Sequence, residues 1–174
     1  DAGAFGNHEH DRNLAHLQKI IGASDFQWVV SNYNEGTLSV LKSGTKQTKT
    51  FTIIERGGVK IGVVGANTPE TIEQVFPGNL DYTDASGAKK TITINPGVTG
   101  INQAIVDAKA AGADIVIALL HQGWQENADG VAKGVLNTMA AQVKGAAAIY
   151  GGHSHQTFAS VIPGSPRVAP VVIG

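Results

Sequence analysis

Two spacings of apolar residues alternate along the chain. Short aliphatic runs of strand length are separated by stretches in which apolar residues recur every three or four positions. Ala2 to Phe5 is the first short run. Leu14, Leu17, Ile20 and Ile21 then share one helical face, with Asp11 where an N-cap or first-turn acid belongs and Gly22 as the stop. Phe26 to Val30 reads as a strand, and the polar stretch 33–48 as hairpin and loop. Lys49 to Glu55 and Val59 to Ala66, split by Arg56-Gly57-Gly58, read as a β-hairpin. Thr68-Pro69-Glu70 opens a short helix with Pro at its first position. Residues 77–97, carrying Pro77, Gly78, Gly87, Pro96 and Gly97, form a long surface excursion.

The second half is more regular. Val98 to Ala111 is a helix with Ile101, Ala104, Ile105 and Ala108 on its inner face, stopped by Gly112. Asp114 to Leu120 is a continuous apolar run, as in a strand buried on both faces. Ala128 to Val143 is a second helix, with Val131, Val135, Leu136 and Met139 inward, and Ala146 to Tyr150 a second buried strand. Val161-Ile162 and Val168 to Ile173 read as final strands. This βαβαβ rhythm predicts an α/β fold with a parallel sheet and covering helices.

Composition narrows the class. The 174 residues suit one domain, and 42% hydrophobic with 16% charged residues suits a globular one. Thirteen basic against fourteen acidic side chains leave a net charge of −1, which gives no electrostatic case for polymeric nucleic acid or anionic lipid. Cysteine is absent, so disulfides, thiolate metal sites and a Cys nucleophile are excluded. The longest apolar run, Ile115 to Leu120, is far short of the ~18 residues of a membrane span. The chain opens on Asp1 with neither a basic nor an apolar leader, and its one Met is Met139, so its numbering is expected to start at a processed or truncated end.

Three apolar strands each run into a short segment that holds histidine. Ala2–Phe5 leads to Gly6-Asn7-His8-Glu9-His10-Asp11, Asp114–Leu120 to His121-Gln122-Gly123, and Ala146–Tyr150 to Gly151-Gly152-His153-Ser154-His155. In a parallel sheet these ends fall on one edge, where ligands bind. Five of the six histidines lie there, and imidazole is the commonest side-chain ligand of transition metals. Each segment alone has a plainer role as a turn or a hydrogen-bonded strand end. Together they predict convergence on a cation.

Gly6-Asn7-His8-Glu9, Leu120-His121 and Gly152-His153-Ser154-His155 resemble the last three motifs of the calcineurin-like metallophosphoesterases. The version here looks most like the branch of 5′-nucleotidases, UDP-sugar hydrolases and 2′,3′-cyclic phosphodiesterases, with His10 where that branch typically has Phe. Gly62-Val63-Val64-Gly65 and Thr68-Pro69-Glu70-Thr71 are also similar to it. The resemblance implies a layered α/β/β/α sandwich. It implies that Asn7, His121 and His153 bind one metal of a two-metal site and His155 the other. His8 would face the phosphoryl oxygens or leaving group, held by Asp11, which can also serve as a helix N-terminal acid. Glu9 and His10 are expected to face solvent or stand behind the site, and His16 to lie on a helix surface. Two such ions would generate hydroxide near neutral pH and clamp an in-line displacement. Zn, Mn, Fe and Co all suit the donors. The implied substrate is a small phosphate ester, foremost a nucleotide, and the implied location is periplasmic, extracellular or cell-surface.

The family's first two motifs, with their Asp and His ligands, precede the Gly-Asn-His-Glu segment, and six residues before Asn7 leave no room for them. Residues 1–174 are therefore expected to be an incomplete metallophosphoesterase domain, lacking its N-terminal strands and C-terminal part, with no counterpart of the C-terminal nucleotide-binding domain. One Asn and three neutral imidazoles would leave two dications uncompensated, so a full two-metal site is not expected from this chain alone. The absent strands would expose a sheet edge, to be covered by a missing N-terminal segment or by a homo-oligomer. A non-catalytic metal- or partner-binding fragment is the alternative. A hydrolase with a single His-held metal is weaker, for want of a carboxylate at ligand spacing.

Overall fold

The structure is a computed structural model, and it describes residues 1–123, 134–155, 158–159 and 169–172. Chain order runs β1 (Ala2–Ala4), α1 (Leu14–Ala23), β2 (Gln27–Val29), α2 (Glu35–Val40), a hairpin of β3 (Lys42–Ser43) and β4 (Lys46–Gln47), then β5 (Phe51–Arg56) and β6 (Val59–Ala66). There follow α3 (Thr71–Gln74), β7 (Asp81–Thr83), β8 (Lys89–Thr91), α4 (Gly97–Ala110), β9 (Ile115–Leu120), α5 (Val135–Gln142), β10 (Ala148–Gly151), β11 (Phe158–Ala159) and β12 (Ala169–Val172). The main sheet has strand order β11-β12-β10-β9-β6-β5. In it β6, β9, β10 and β12 are parallel, while β5 pairs antiparallel to β6 as the predicted hairpin. β1 and β2 form a separate parallel pair.

Pleat alternation sets the layers. Val64, Ala66, Val116, Ala118, Leu120 and Ile149 pack with Ile101, Ile105 and Ala108 of α4 and Leu136 and Ala140 of α5 into one buried cluster. Gly65 points the other way. A Cβ there would stand 2.4 Å from the carbonyl oxygen of Val29 and 3.0 Å from the Cβ of Ala4, so the small sheet lies directly on the large one. Beyond the small sheet, Phe5, Trp28 and Val30 pack with Leu17 and Ile21 of α1 in a second cluster. The order is helices, large sheet, small sheet, helix: an α/β/β/α sandwich.

Several sequence expectations are corrected. β9 is not buried on both faces: Val116, Ala118 and Leu120 are buried under the helices, but Ile115 is exposed and Ile117 and Leu119 only half-buried. Among the described residues, the two-stranded small sheet covers only part of that face. Residues 33–48 hold the helix α2 as well as the hairpin, because the Asn34 side chain accepts from the Thr37 N–H and starts a turn. Asn13, not Asp11, caps α1, its Oδ1 accepting from the His16 N–H at 3.1 Å. α1 runs one residue past Gly22 to Ala23. Pro69 precedes α3 rather than opening it, since Glu70 is the cap. The excursion 77–97 is anchored rather than superficial, with Leu80, Ile92 and Ile94 buried in the second cluster. Of the predicted helix 128–143, Val135–Gln142 is seen, and residues 124–133 lie outside the described residues, as does the strand predicted at Val161-Ile162.

Candidate functional site

The carboxyl ends of β1, β6, β9 and β10 meet at one rim. After β1 the chain enters a short 3₁₀ turn, Asn7–His10, whose start is closed by Glu9: its Oε2 accepts from the Gly6 N–H at 2.6 Å. That bond occupies Glu9, which is half-buried, and aims Asn7 inward. His121 follows β9, tied to β6 by its N–H donated to the Ala66 carbonyl at 2.8 Å. The Cβ that Gly6 lacks would stand 2.5 to 2.7 Å from atoms of the His121 ring, so only glycine lets the β1 end lie against this imidazole. His153 and His155 follow β10, both with positive φ, at 74° and 53°. Non-glycine residues in that region are uncommon, and they cluster where a site demands a side-chain direction.

Asn7 Oδ1 lies 2.9 Å from His121 Nε2, and His121 Nε2 lies 3.3 Å from His153 Nδ1. The two rings meet edge to face with centroids 5.0 Å apart. Asn7 precedes His121 by 114 positions and His153 follows it by 32, yet the three side chains come one after another within hydrogen-bonding distance. Burial first, then the nearby His153, His8 and His155, push the His121 pKa down to about 4. At neutral pH this ring is uncharged and keeps a lone pair. The other nitrogen of His153 faces α3, with Glu70 Oε2 at 3.5 Å and Gln74 Nε2 at 3.3 Å. His8 stands exposed beside the cluster, its Nδ1 2.8 Å from Asp11 Oδ2. His155 is exposed and makes no hydrogen bond among the described residues.

Of the two places expected for His10, solvent or behind the site, the structure takes the second. It is 1% exposed, not solvent-facing, and its Nε2 lies 2.6 Å from the Tyr33 hydroxyl. Burial lowers its pKa to about 4, with Asp11 opposing the shift. His16 is half-buried on α1. Glu70 and Gln74, and Asn67 and Thr68 just beyond β6, were not singled out from the sequence as site residues. No sequence signal marks them: it is the register, with Ala66 of β6 opposite Leu120 of the parallel β9, that brings residue 67 out at the same rim as residue 121. The described residues contain no group of three or more His, Asp or Glu side chains set to hold an ion, because the third converging donor is an amide oxygen.

The fold is that of the calcineurin-like metallophosphoesterases, of which this chain is a fragment. The chain belongs to the family described as bacterial capsule synthesis protein PGA_cap, whose profile matches residues 38–161. Its curated relatives include a trifunctional nucleotide phosphoesterase protein, YfkN, of Bacillus subtilis, 31% identical over 92% of this chain and 11% of that protein. They also include a snake venom 5′-nucleotidase of Crotalus adamanteus, 29% identical over 97% of this chain and 25% of that protein. The crystal structure of the calcineurin-like phosphoesterase YfkN of Bacillus subtilis matches with TM-score 0.66 and 27% identity, over 98% of this chain and 53% of that one. A 5′-nucleotidase precursor of Thermus thermophilus matches in fold with TM-score 0.71 at 23% identity, over 99% of this chain and 32% of that one. The chain spans between a tenth and a quarter of the length of these curated relatives. No helix among the described residues is long and apolar enough to cross a membrane.

Proposed function

We propose that this chain is the metal-bearing part of a phosphoester hydrolase of the 5′-nucleotidase type, acting on nucleotides or related phosphate esters. One observation carries the reading: Asn7 Oδ1, His121 Nε2 and His153 Nδ1 come from three strand ends to lie at 2.9 and 3.3 Å steps. Donors ~2.1 Å from a shared ion stand ~3.0 Å apart at right angles and ~3.4 Å apart at the tetrahedral angle, so these steps fit a single divalent ion. Such an ion supplies Lewis-acid polarisation of the phosphoryl group and offsets the charge that builds on its oxygens.

Asn7, His121 and His153 would hold that ion, and His155 a second. The neutral state of His121 suits it to donate a lone pair. His8 is assigned to the phosphoryl or leaving oxygen, with Asp11 fixing the ring through Nδ1 and leaving Nε2 to the substrate. Zn, Mn, Fe and Co all remain compatible with this donor set. Nucleotide substrates, and a periplasmic, extracellular or cell-surface location, draw support from the names of the relatives, which include a venom enzyme and a precursor. One feature favours the alternative of a binding unit without turnover: none of the three converging donors is a carboxylate. Glu70 is the carboxylate beside them, against the other nitrogen of His153.

Metal content and p-nitrophenyl phosphate hydrolysis, compared between wild type and His121→Ala, decide the matter. Removing one of three donors is expected to weaken metal binding by at least ~10-fold, with hydrolysis falling alongside. Equal metal content in the two proteins removes His121 from the site and overturns the reading. Metal binding by wild type without hydrolysis favours the alternative. Gly6→Ala supplies a second check. Its methyl group must displace the His121 ring from Asn7, so metal affinity is expected to drop ~10-fold while the melting temperature of the metal-free protein moves little. Unchanged affinity would show that the ring contact with Gly6 does not set the site.

A further inference from the structure

Behind the three turns lies a buried polar cluster that the proposed chemistry does not use. Asn67 Nδ2 donates to the Tyr33 hydroxyl at 2.7 Å and to the carbonyl of Gly6, the residue before Asn7, at 3.1 Å. Because that hydroxyl already accepts from Asn67, its own O–H is left to donate a hydrogen bond to His10 Nε2, 2.6 Å away. Asn67 Oδ1 accepts from the Thr68 N–H at 2.8 Å, and Thr68 Oγ1 accepts from Nε2 of Gln122, the residue after His121, at 2.9 Å. The Gln122 carbonyl accepts from the N–H of Gly152, the residue before His153, at 2.9 Å. One continuous hydrogen-bonded path therefore touches the backbone beside each converging donor. Tyr33, His10, Asn67, Thr68 and Gln122 are all 5% exposed or less.

Buried polar groups cost stability when left unpaired, and an apolar filling serves folding as well. What this path adds is direction. Both N–H bonds of the Asn67 amide are taken, one by Gly6 and one by Tyr33, so the amide plane cannot turn. The acceptor on His10 fixes the hydroxyl that receives the second.

We propose that Tyr33 and Asn67 are positioning residues, which lock the Asn7 turn against the His121 and His153 turns and so set how tightly the three donors hold a divalent ion. This rests on the assignment of those donors given above. Outer partners of metal-holding groups commonly change affinity ~10- to 100-fold.

The test is calorimetric titration with Mn²⁺ of the purified protein as wild type, Tyr33→Phe, Asn67→Ser, the double variant His10→Phe/Tyr33→Phe, and His121→Ala. Thermal unfolding without metal is recorded for each. Tyr33→Phe and Asn67→Ser are each expected to bind about tenfold more weakly. The double variant removes the unpaired imidazole, so its melting temperature should recover toward wild type while its affinity stays low. Recovery of affinity together with stability would reduce the cluster to packing and overturn the proposal. So would wild-type affinity in Tyr33→Phe, or in Asn67→Ser should Tyr33→Phe not fold. Wild-type affinity in His121→Ala overturns the donor assignment and this proposal with it, whereas loss there beside unchanged Tyr33→Phe overturns the positioning role alone.

Discussion

Acidification from about pH 7 to about pH 4 is expected to remove about 3 kcal/mol of folding stability through His10 alone. The unfolded ring titrates near 6.5, and burial brings the folded value down to about 4. The native state thus refuses a proton that the unfolded chain accepts. Stability from this group is whole above the unfolded value and falls as pH drops through the interval. The loss is complete once the folded value is passed. Each pKa unit is worth about 1.4 kcal/mol, which gives the total. Urea unfolding at a series of pH values measures it, with His10→Phe as the control. That variant leaves the Tyr33 hydroxyl without an acceptor, at a cost of about 1 kcal/mol near neutrality, but its stability should fall less steeply toward acid. Parallel curves for the two proteins would show that His10 is not held neutral.

Gly65→Ala should cost about 3 kcal/mol, for a different reason. The added methyl group would sit 2.4 Å from a backbone oxygen of Val29, which has no rotamer to move away, and 3.0 Å from the Cβ of Ala4. The Gly65 carbonyl also accepts from the Ser31 N–H at 2.8 Å and the Ser31 hydroxyl at 2.7 Å, so the strands cannot simply slide. Separating the sheets would loosen β1, and with it the turn that carries Asn7. In a chain of this size the melting temperature should fall by about 10 °C. A loss under about 0.5 kcal/mol would mean that the small sheet does not lie directly on the large one at this point.

The parallel core was legible because each of its elements buries one continuous stripe. Ile101, Ala104, Ile105 and Ala108 repeat at helical spacing, and they are the buried residues of α4 together with its first residue, Gly97. The meeting of His121 and His153 was legible for a topological reason: β9 and β10 are parallel neighbours, so the segments that follow them leave the sheet on the same side. Asn7 follows β1, which belongs to the small sheet, and only the packing of the two sheets brings it to that rim. Where expectations failed or stayed open between two places, as for His10, long-range contact decided. His10 looks like a polar residue on a turn, and nothing within four positions shows that Tyr33, 23 residues on, buries it. Ile115 to Leu120 reads as buried on both faces because hydrophobicity is visible in sequence, but the cover over each face is not.

Sequence by itself determined the alternating strands and helices of the parallel core, the places where histidine follows a strand, and the membership in a metallophosphoesterase family. Those depend on neighbours along the chain and on residue type. Only the tertiary structure decided that Asn67 and Thr68, on a strand end without histidine, join the three turns, and that His10 stays neutral in the interior. Both follow from contacts between segments tens of residues apart, whose distances are fixed by sheet register and layer packing rather than by any local spacing.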